Sequence, residues 1–180
     1  MKRRTVLEVL GAGVAARQLG IAQHHLVTLA QSPESYKPRF FGPAQIELVS
    51  QLSEMIIPAD DHSPGAREAK VSLFIDLMIA HSDKDVQELW NSGLKLVEAT
   101  AQERFHRPFL ECGPPQQDEI LVAMAAGETD PQTPLQQFFV RLKLMTIDGY
   151  YTSQIGIHRE LQYKGNAVLA EFPGCRHTNH

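Results

Sequence analysis

The chain has 180 residues, of which 43% are hydrophobic, and its formal net charge is −4. This length and composition are typical of one globular domain with its own core, and they argue against wholesale disorder. The net charge and the lack of a basic stripe give no reason to expect a nucleic acid partner. No apolar run reaches the roughly 20 residues that a helix needs to cross a bilayer, so no transmembrane span is expected.

The amino terminus, MKRRTVLEVLGAGVAARQLGIAQ, has the order of an export signal. Arg3 and Arg4 stand in a short basic region, and a weakly apolar run of small residues follows over residues 9–16. Adjacent arginines before a weakly apolar segment are typical of the twin-arginine route. We therefore predict an export signal over residues 1–30, cleaved or retained, and a linker over residues 31–42. The alternative is a frayed amphipathic helix on a cytoplasmic protein.

The body of the chain, residues 43–152, is predicted to be a helical domain. Apolar residues recur at spacings of three and four, and the first helix is bounded by Pro43 and Pro58. The predicted helices span residues 43–57, 65–81, 83–105, 115–128 and 133–151. The residues predicted to face inward are Ile46, Val49, Leu52, Ile56, Val71, Phe74, Ile75, Met78, Val86, Leu89, Trp90, Leu94, Val97, Ala101, Phe105, Leu135, Phe138, Phe139, Leu142 and Met145. No alternating strand pattern is visible, so we predict an all-α fold, a compact bundle of about five helices.

The carboxyl-terminal stretch, residues 153–180, has a different pattern. It contains Gly156, Gly165, Pro173 and Gly174, and its apolar residues have no steady period. We predict an irregular extended segment with one helical turn. Because the segment is polar and aromatic without being low in complexity, we expect it to pack on the domain or on a partner.

A polar cluster, Asp60, Asp61 and His62, lies in the stretch IIPADDHSPGA between two apolar runs. An aspartate there can close a turn or cap the next helix by accepting backbone N–H groups, and Pro64-Gly65 then sets the turn. The alternative is an acid–base or metal site. That alternative needs further ligands or a carboxylate with a raised pKa, and no second cluster is an obvious partner. The local chemistry therefore favours a structural turn.

The two cysteines allow two kinds of site. Cys175, His177 and His180 form a ligand set near the carboxyl terminus, although zinc sites usually use four groups, or three with a water. A disulfide between Cys112 and Cys175 is the other use, since an oxidising compartment allows one. Geometry decides whether the two sulfurs can pair.

The stretch TIDGYY places polar groups near the end of an apolar helix. Asp148 can bond backbone groups, pair with Arg141 or contact a partner, and a buried carboxylate is usually paired, which favours structural use. Tyr150 and Tyr151 fit equally well as residues at the edge of the core and as anchors of an interface. Both roles use the large area and the polar tip of tyrosine.

Three stretches carry a resemblance to a known family. They are FFGPAQIELVSQLSEMIIPADDHSPGAREAKVSLFIDLMI, FFVRLKLMTIDGYYTSQIGI and the later FPGC. Together they resemble the gluconate 2-dehydrogenase subunit 3 family over residues 40–175. The most specific parts are IIPADDHSPGA and DGYYTSQIGI.

The resemblance implies a noncatalytic small subunit of a periplasmic dehydrogenase complex, with no cofactor of its own. The large subunit is then expected to carry FAD and oxidise a sugar, and a haem or iron–sulfur acceptor, such as a cytochrome c subunit, to take the electrons. The small subunit is expected to aid the folding of the large one and its twin-arginine export, and the complex to associate with the inner membrane. The version GYYTSQIGIHRELQYKGN most resembles members paired with dehydrogenases of glycosides or disaccharides, including oxidation at the sugar 3-position, and a gluconate-type enzyme stays open.

The resemblance also implies roles for the motif residues. It makes them a structural signature and candidate contacts with the large subunit, and not a catalytic set. These residues are Pro58, Asp60, Asp61, Pro64, Gly65, Asp148, Gly149, Tyr150 and Tyr151. The alternative function is a free-standing periplasmic helical protein that binds a metal or acts as an enzyme through residues 60–62 or the carboxyl-terminal histidines.

Overall fold

The computed structural model describes residues 36–166, and this part of the chain forms five α-helices and no strand. The helices are α1 (Pro43–Ile56), α2 (Val71–Ala80), α3 (Lys84–Phe105), α4 (Pro114–Ala125) and α5 (Pro134–Tyr151). A 3₁₀ turn at Phe109–Glu111 precedes α4, and a π-helical turn at Gly156–Glu160 follows α5. The predicted all-α fold of about five helices is therefore confirmed. No helix within residues 36–166 has the length and hydropathy of a membrane span.

Three of the helices begin with one four-residue pattern, in which glycine or threonine is followed by proline, any residue and glutamine. The glutamine side chain accepts a hydrogen bond from the backbone N–H at the start of the pattern. The pairs are Gly42–Gln45, Gly113–Gln116 and Thr133–Gln136, with N···Oε1 distances of 3.0, 3.0 and 3.2 Å. At α5 the threonine Oγ1 also accepts from Gln136 N at 3.2 Å, which completes a capping box. The starts of these three helices are thus encoded locally.

Helix α5 is the centre of the domain, because it packs against all four other helices. Its buried side chains include Phe138 and Leu142. The ring of Phe138 lies 5.4 Å from that of Trp90, edge to face. A Cβ at Gly93 would overlap the Phe138 ring, so α3 and α5 approach closely only because this residue is glycine. Burying each such aromatic side chain stabilises the fold by about 2–3 kcal/mol.

The helical pattern was wrong about three inward positions. Met78, Val86 and Leu89 are 45%, 41% and 38% exposed, respectively. Ile79 is buried in place of Met78. Val86 lies one turn before Trp90, which is 2% exposed. The apolar face of α3 therefore begins before the point at which other helices pack against it. Periodicity shows which face of a helix is apolar, but not how far along it a neighbour extends.

The predicted start of the second helix, at residue 65, was also wrong. Residues 66–70 form turns, and α2 begins only at Val71. Lys70 separates the two because its φ is 57°, in the left-handed region that an α-helix cannot include. His106, with φ 56°, ends α3 in the same way. Neither position is glycine, so the sequence carries no simple signal for either break.

Candidate functional site

Asp60 closes the turn that follows α1. Its Oδ1 accepts hydrogen bonds from His62 N and Ser63 N, both at 2.8 Å, and its own N–H donates to Ser63 O at 3.0 Å. The N–H groups of Ser63 and His62 hold the pKa of Asp60 below its usual value. A general acid needs the opposite shift, toward a raised pKa. The geometry is that of the turn which the sequence favoured.

Tyr150 joins this loop to the end of α5. Its side chain is buried, and its hydroxyl donates to Pro64 O at 2.8 Å. Ser63 Oγ lies 2.8 Å from the same hydroxyl and donates to its oxygen, since the tyrosine proton is already used. Burial raises the pKa of Tyr150, and the bond to Ser63 opposes part of that rise. The phenol is therefore a neutral, satisfied group that fixes the loop to the core.

Glu54 and Gly65 hold the two ends of the loop together. The Glu54 carboxylate accepts from Ala59 N at 3.2 Å and from Arg67 N at 2.7 Å. A Cβ at Gly65 would lie 2.6 Å from Ala59 N and would overlap the Glu54 carboxylate. Only glycine allows this approach. Close packing therefore explains why the motif has glycine at position 65.

The three residues of the polar cluster differ in their surroundings. Asp61 and His62 are exposed, and His62 Nε2 lies 3.2 Å from Glu160 O and 3.9 Å from the Glu160 carboxylate. Asp61, His62 and Arg159 line a shallow depression of about 430 Å³. Within residues 36–166, no three histidine, cysteine, aspartate or glutamate side chains are placed to hold a metal ion. The role that the structure shows for His62 is its contact with Glu160, which connects the loop to the π-helical turn.

The second motif, TIDGYY, divides between the core and the surface. Gly149 is buried, and a Cβ there would lie 2.7 Å from the Phe74 ring. Tyr151 is 38% exposed, and its ring lies 5.3 Å from that of Tyr150. Asp148 is exposed and takes no part in the ion pairs of the described residues. Through Tyr150, the structure brings the two most specific stretches of the sequence into one cluster.

A buried carboxylate that sequence reasoning missed lies on α2. Asp76 is 0% exposed, and its two oxygens accept from Arg39 N, Phe40 N and Phe41 N at 2.7, 3.0 and 2.7 Å. The segment before α1 is thereby fixed to α2. The sequence contained a signal for this contact, because Asp76 is the one charged residue in the apolar run VSLFIDLMIA. A carboxylate buried in such a run requires hydrogen-bond donors, here the three backbone N–H groups.

Several predicted sites lie wholly or partly outside the described residues. Cys112 is a buried thiol whose Sγ lies 3.5 Å from Pro108 O, and burial raises its pKa. The other residues of these sites lie outside residues 36–166, namely Cys175, His177, His180, Arg3 and Arg4. The disulfide, the terminal ligand set and the export signal stay predictions.

The family comparison covers the helical domain from its first helix onward. The model of the family described as gluconate 2-dehydrogenase subunit 3 matches residues 43–174. The match begins at the first residue of α1 and includes all five helices and both motifs. No curated protein matches the chain, and no solved structure does.

Proposed function

The chain belongs to the gluconate 2-dehydrogenase subunit 3 family, and on that premise we propose that it is a noncatalytic accessory subunit of a periplasmic FAD-dependent sugar dehydrogenase. In this proposal a large subunit binds FAD and oxidises the sugar. A haem or iron–sulfur acceptor, such as a cytochrome c subunit, receives the electrons. The stretch GYYTSQIGIHRELQYKGN favours a glycoside 3-dehydrogenase over a gluconate-type enzyme.

The observation that carries the proposal is the extent of the family match, which covers the whole helical domain. The state of the motif residues supports it. The Asp60 carboxylate is occupied by two backbone N–H groups, and the Tyr150 hydroxyl by Ser63 and Pro64. The carboxylate and the hydroxyl that acid–base catalysis would need are thus held in structural hydrogen bonds, as is expected of a noncatalytic binding subunit.

The proposed role has two parts, stabilisation and export. A subunit that binds only the folded large subunit stabilises that folded state by mass action. The export address is the arginine pair Arg3 and Arg4, which would bring both chains to the periplasm and leave the complex at the inner membrane. One chain thus supplies the address and a second supplies the chemistry.

Native purification tests the first part. The tagged full chain is purified from its own host, and the product is analysed by mass spectrometry and visible absorption. We expect a stoichiometric larger chain with a flavin spectrum, and the sequence of that chain identifies the sugar class. A lone, colourless monomer would contradict the accessory role.

Exchange of the arginine pair tests the second part. We expect the double variant Arg3→Lys, Arg4→Lys to leave both this chain and the large subunit in the cytoplasm, as measured by cell fractionation. The matched control is Arg17→Lys, which lies outside the pair and should export normally. If the large subunit still reaches the periplasm with the double variant, this chain is not its carrier.

A further inference from the structure

The domain exposes a group of large apolar side chains where α2 meets α3. Leu77, Met78, Val86 and Leu89 are 36%, 45%, 41% and 38% exposed. All four lie within two helical turns of the short connector 81–83, and we call this surface the α2–α3 corner. Single exposed apolar residues are normal on a soluble protein, whereas a group of them marks an interaction surface.

The α2–α3 corner is held in shape by hydrogen bonds. Gln87 Nε2, in the first turn of α3, donates to Ile79 O at 3.0 Å and to Ser82 O at 3.3 Å. Ser82 Oγ donates to Met78 O at 2.8 Å. These bonds tie the end of α2 to the start of α3. A preformed surface loses little conformational entropy when a partner binds.

Acidic residues lie next to the apolar residues of the corner along the connector and the start of α3. Asp83, Asp85 and Glu88 are exposed, and Lys84 is the one lysine or arginine in residues 81–89. No ion pair of the described residues includes any of the three carboxylates. The dipole of α3 favours an acidic residue in its first turn, such as Asp85, but Glu88 lies beyond that turn. Residues 81–89 therefore carry a net negative charge, and we call Asp83, Asp85 and Glu88 the acidic rim of the corner.

This charge decides between the candidates for an occupant. A second copy related by a twofold axis through the corner would bring two acidic rims together, which costs free energy. An anionic membrane surface would be repelled for the same reason. The complementary surface is a protein with an apolar centre and a rim of lysine and arginine.

We propose that the α2–α3 corner is the surface that docks the large flavoprotein subunit, through apolar contacts inside a rim of acidic residues that pair with basic residues of the partner. This docking role rests on the accessory function proposed above. It adds a location and a chemistry for the contact, and it places the contact away from the two sequence motifs.

The experiment compares two apolar surfaces of one chain. The tagged full chain is co-expressed with the large subunit found by native purification, and the affinity is measured for the double variant Val86→Glu, Leu89→Glu. The matched control is Val122→Glu, Leu144→Glu, because these residues of α4 and α5 are 68% and 54% exposed. We expect the corner variant to bind at least about tenfold more weakly, as loss of a central contact usually causes, and the control to bind normally.

A second variant tests the acidic rim. We expect Asp85→Lys, Glu88→Lys to slow association and weaken binding at low salt. The difference from the natural chain should shrink as the salt concentration rises, because screening removes the field between exposed charges. Circular dichroism of both corner variants should match that of the natural chain, since every changed side chain is exposed.

Each outcome decides between the two proposals. If the corner variants bind the large subunit as tightly as the natural chain does, the docking surface is wrong while the accessory function stands. If the natural chain carries no large flavoprotein subunit at all, both proposals are wrong. If sedimentation shows that the natural chain is a dimer and that Val86→Glu, Leu89→Glu makes it a monomer, the corner binds a second copy, which would overturn the docking role.

Discussion

The loop–α5 cluster, which consists of Asp60, Ser63, Pro64 and Tyr150, differs from the α2–α3 corner in a way that residue types alone do not show. The loop–α5 cluster contains titratable groups of the kind found in active sites. The polar atoms of Asp60 and Tyr150, however, form hydrogen bonds that stabilise the fold. The corner contains side chains that first suggest core, such as Met78 and Val86, yet they face solvent. In the loop–α5 cluster polar side chains hold the fold together, and at the corner apolar side chains are exposed.

Among the polar groups, the largest effect is expected at the buried carboxylate of α2. Asp76→Asn removes the charge that three backbone N–H groups share, so we expect the free energy of unfolding to fall by about 2–4 kcal/mol. Urea unfolding followed by circular dichroism measures the loss. The matched control is Asp148→Asn, where the exposed carboxylate should cost less than about 0.5 kcal/mol. Equal losses would mean that Asp76 does not anchor the segment before α1.

A smaller loss is expected when the loop–α5 cluster loses its tyrosine hydroxyl. Tyr150→Phe leaves the buried Ser63 Oγ and Pro64 O without this partner, and we expect a loss of about 1–3 kcal/mol in the free energy of unfolding. Tyr151→Phe is the control, because Tyr151 is 38% exposed and should change stability by less than about 0.5 kcal/mol. If both variants unfold at the same urea concentration, the hydroxyl does not fix the loop.

The same tyrosine predicts how stability depends on alkaline pH. Burial raises the pKa of Tyr150 in the folded state, so the folded chain keeps its phenol proton where the unfolded chain loses it. This contribution is fully present below the unfolded pKa of about 10 and is lost as the pH rises through the folded pKa. We expect the stability difference between the natural chain and Tyr150→Phe to shrink as the pH rises past about 10. A difference that stays constant would show that the phenol titrates normally.

The smallest effect on stability is expected at the α2–α3 corner. Met78→Ser should change the free energy of unfolding by less than about 0.5 kcal/mol, because the side chain is 45% exposed. Ile79→Ser, one residue further along the same helix, should cost about 3 kcal/mol or more, because Ile79 is 2% exposed. Thermal unfolding of the isolated chain compares the two. A large loss at Met78 would place that residue in the core and remove it from the docking surface.

Features that depend on a few neighbouring residues could be read from the sequence. The turn at Asp60 is closed by backbone groups only two and three residues away, and Pro43 begins α1 as its position suggested. The glutamine at the third position of three helices is an equally local signal, although of the prolines before it we used only Pro43 to predict a helix start. Local hydrogen bonds need no knowledge of the rest of the chain.

The amino-acid sequence by itself determined the helical class, the approximate helices and the family, because periodicity, caps and turns act over short distances. Only the tertiary structure decided which contacts join distant residues. Ser63 and Tyr150 are 87 residues apart, and Phe41 and Asp76 are 35 apart. The structure also decided where the core ends, which left Val86 outside it. Burial depends on which elements pack against a helix, and the periodicity of that helix's own sequence does not show how far those elements extend.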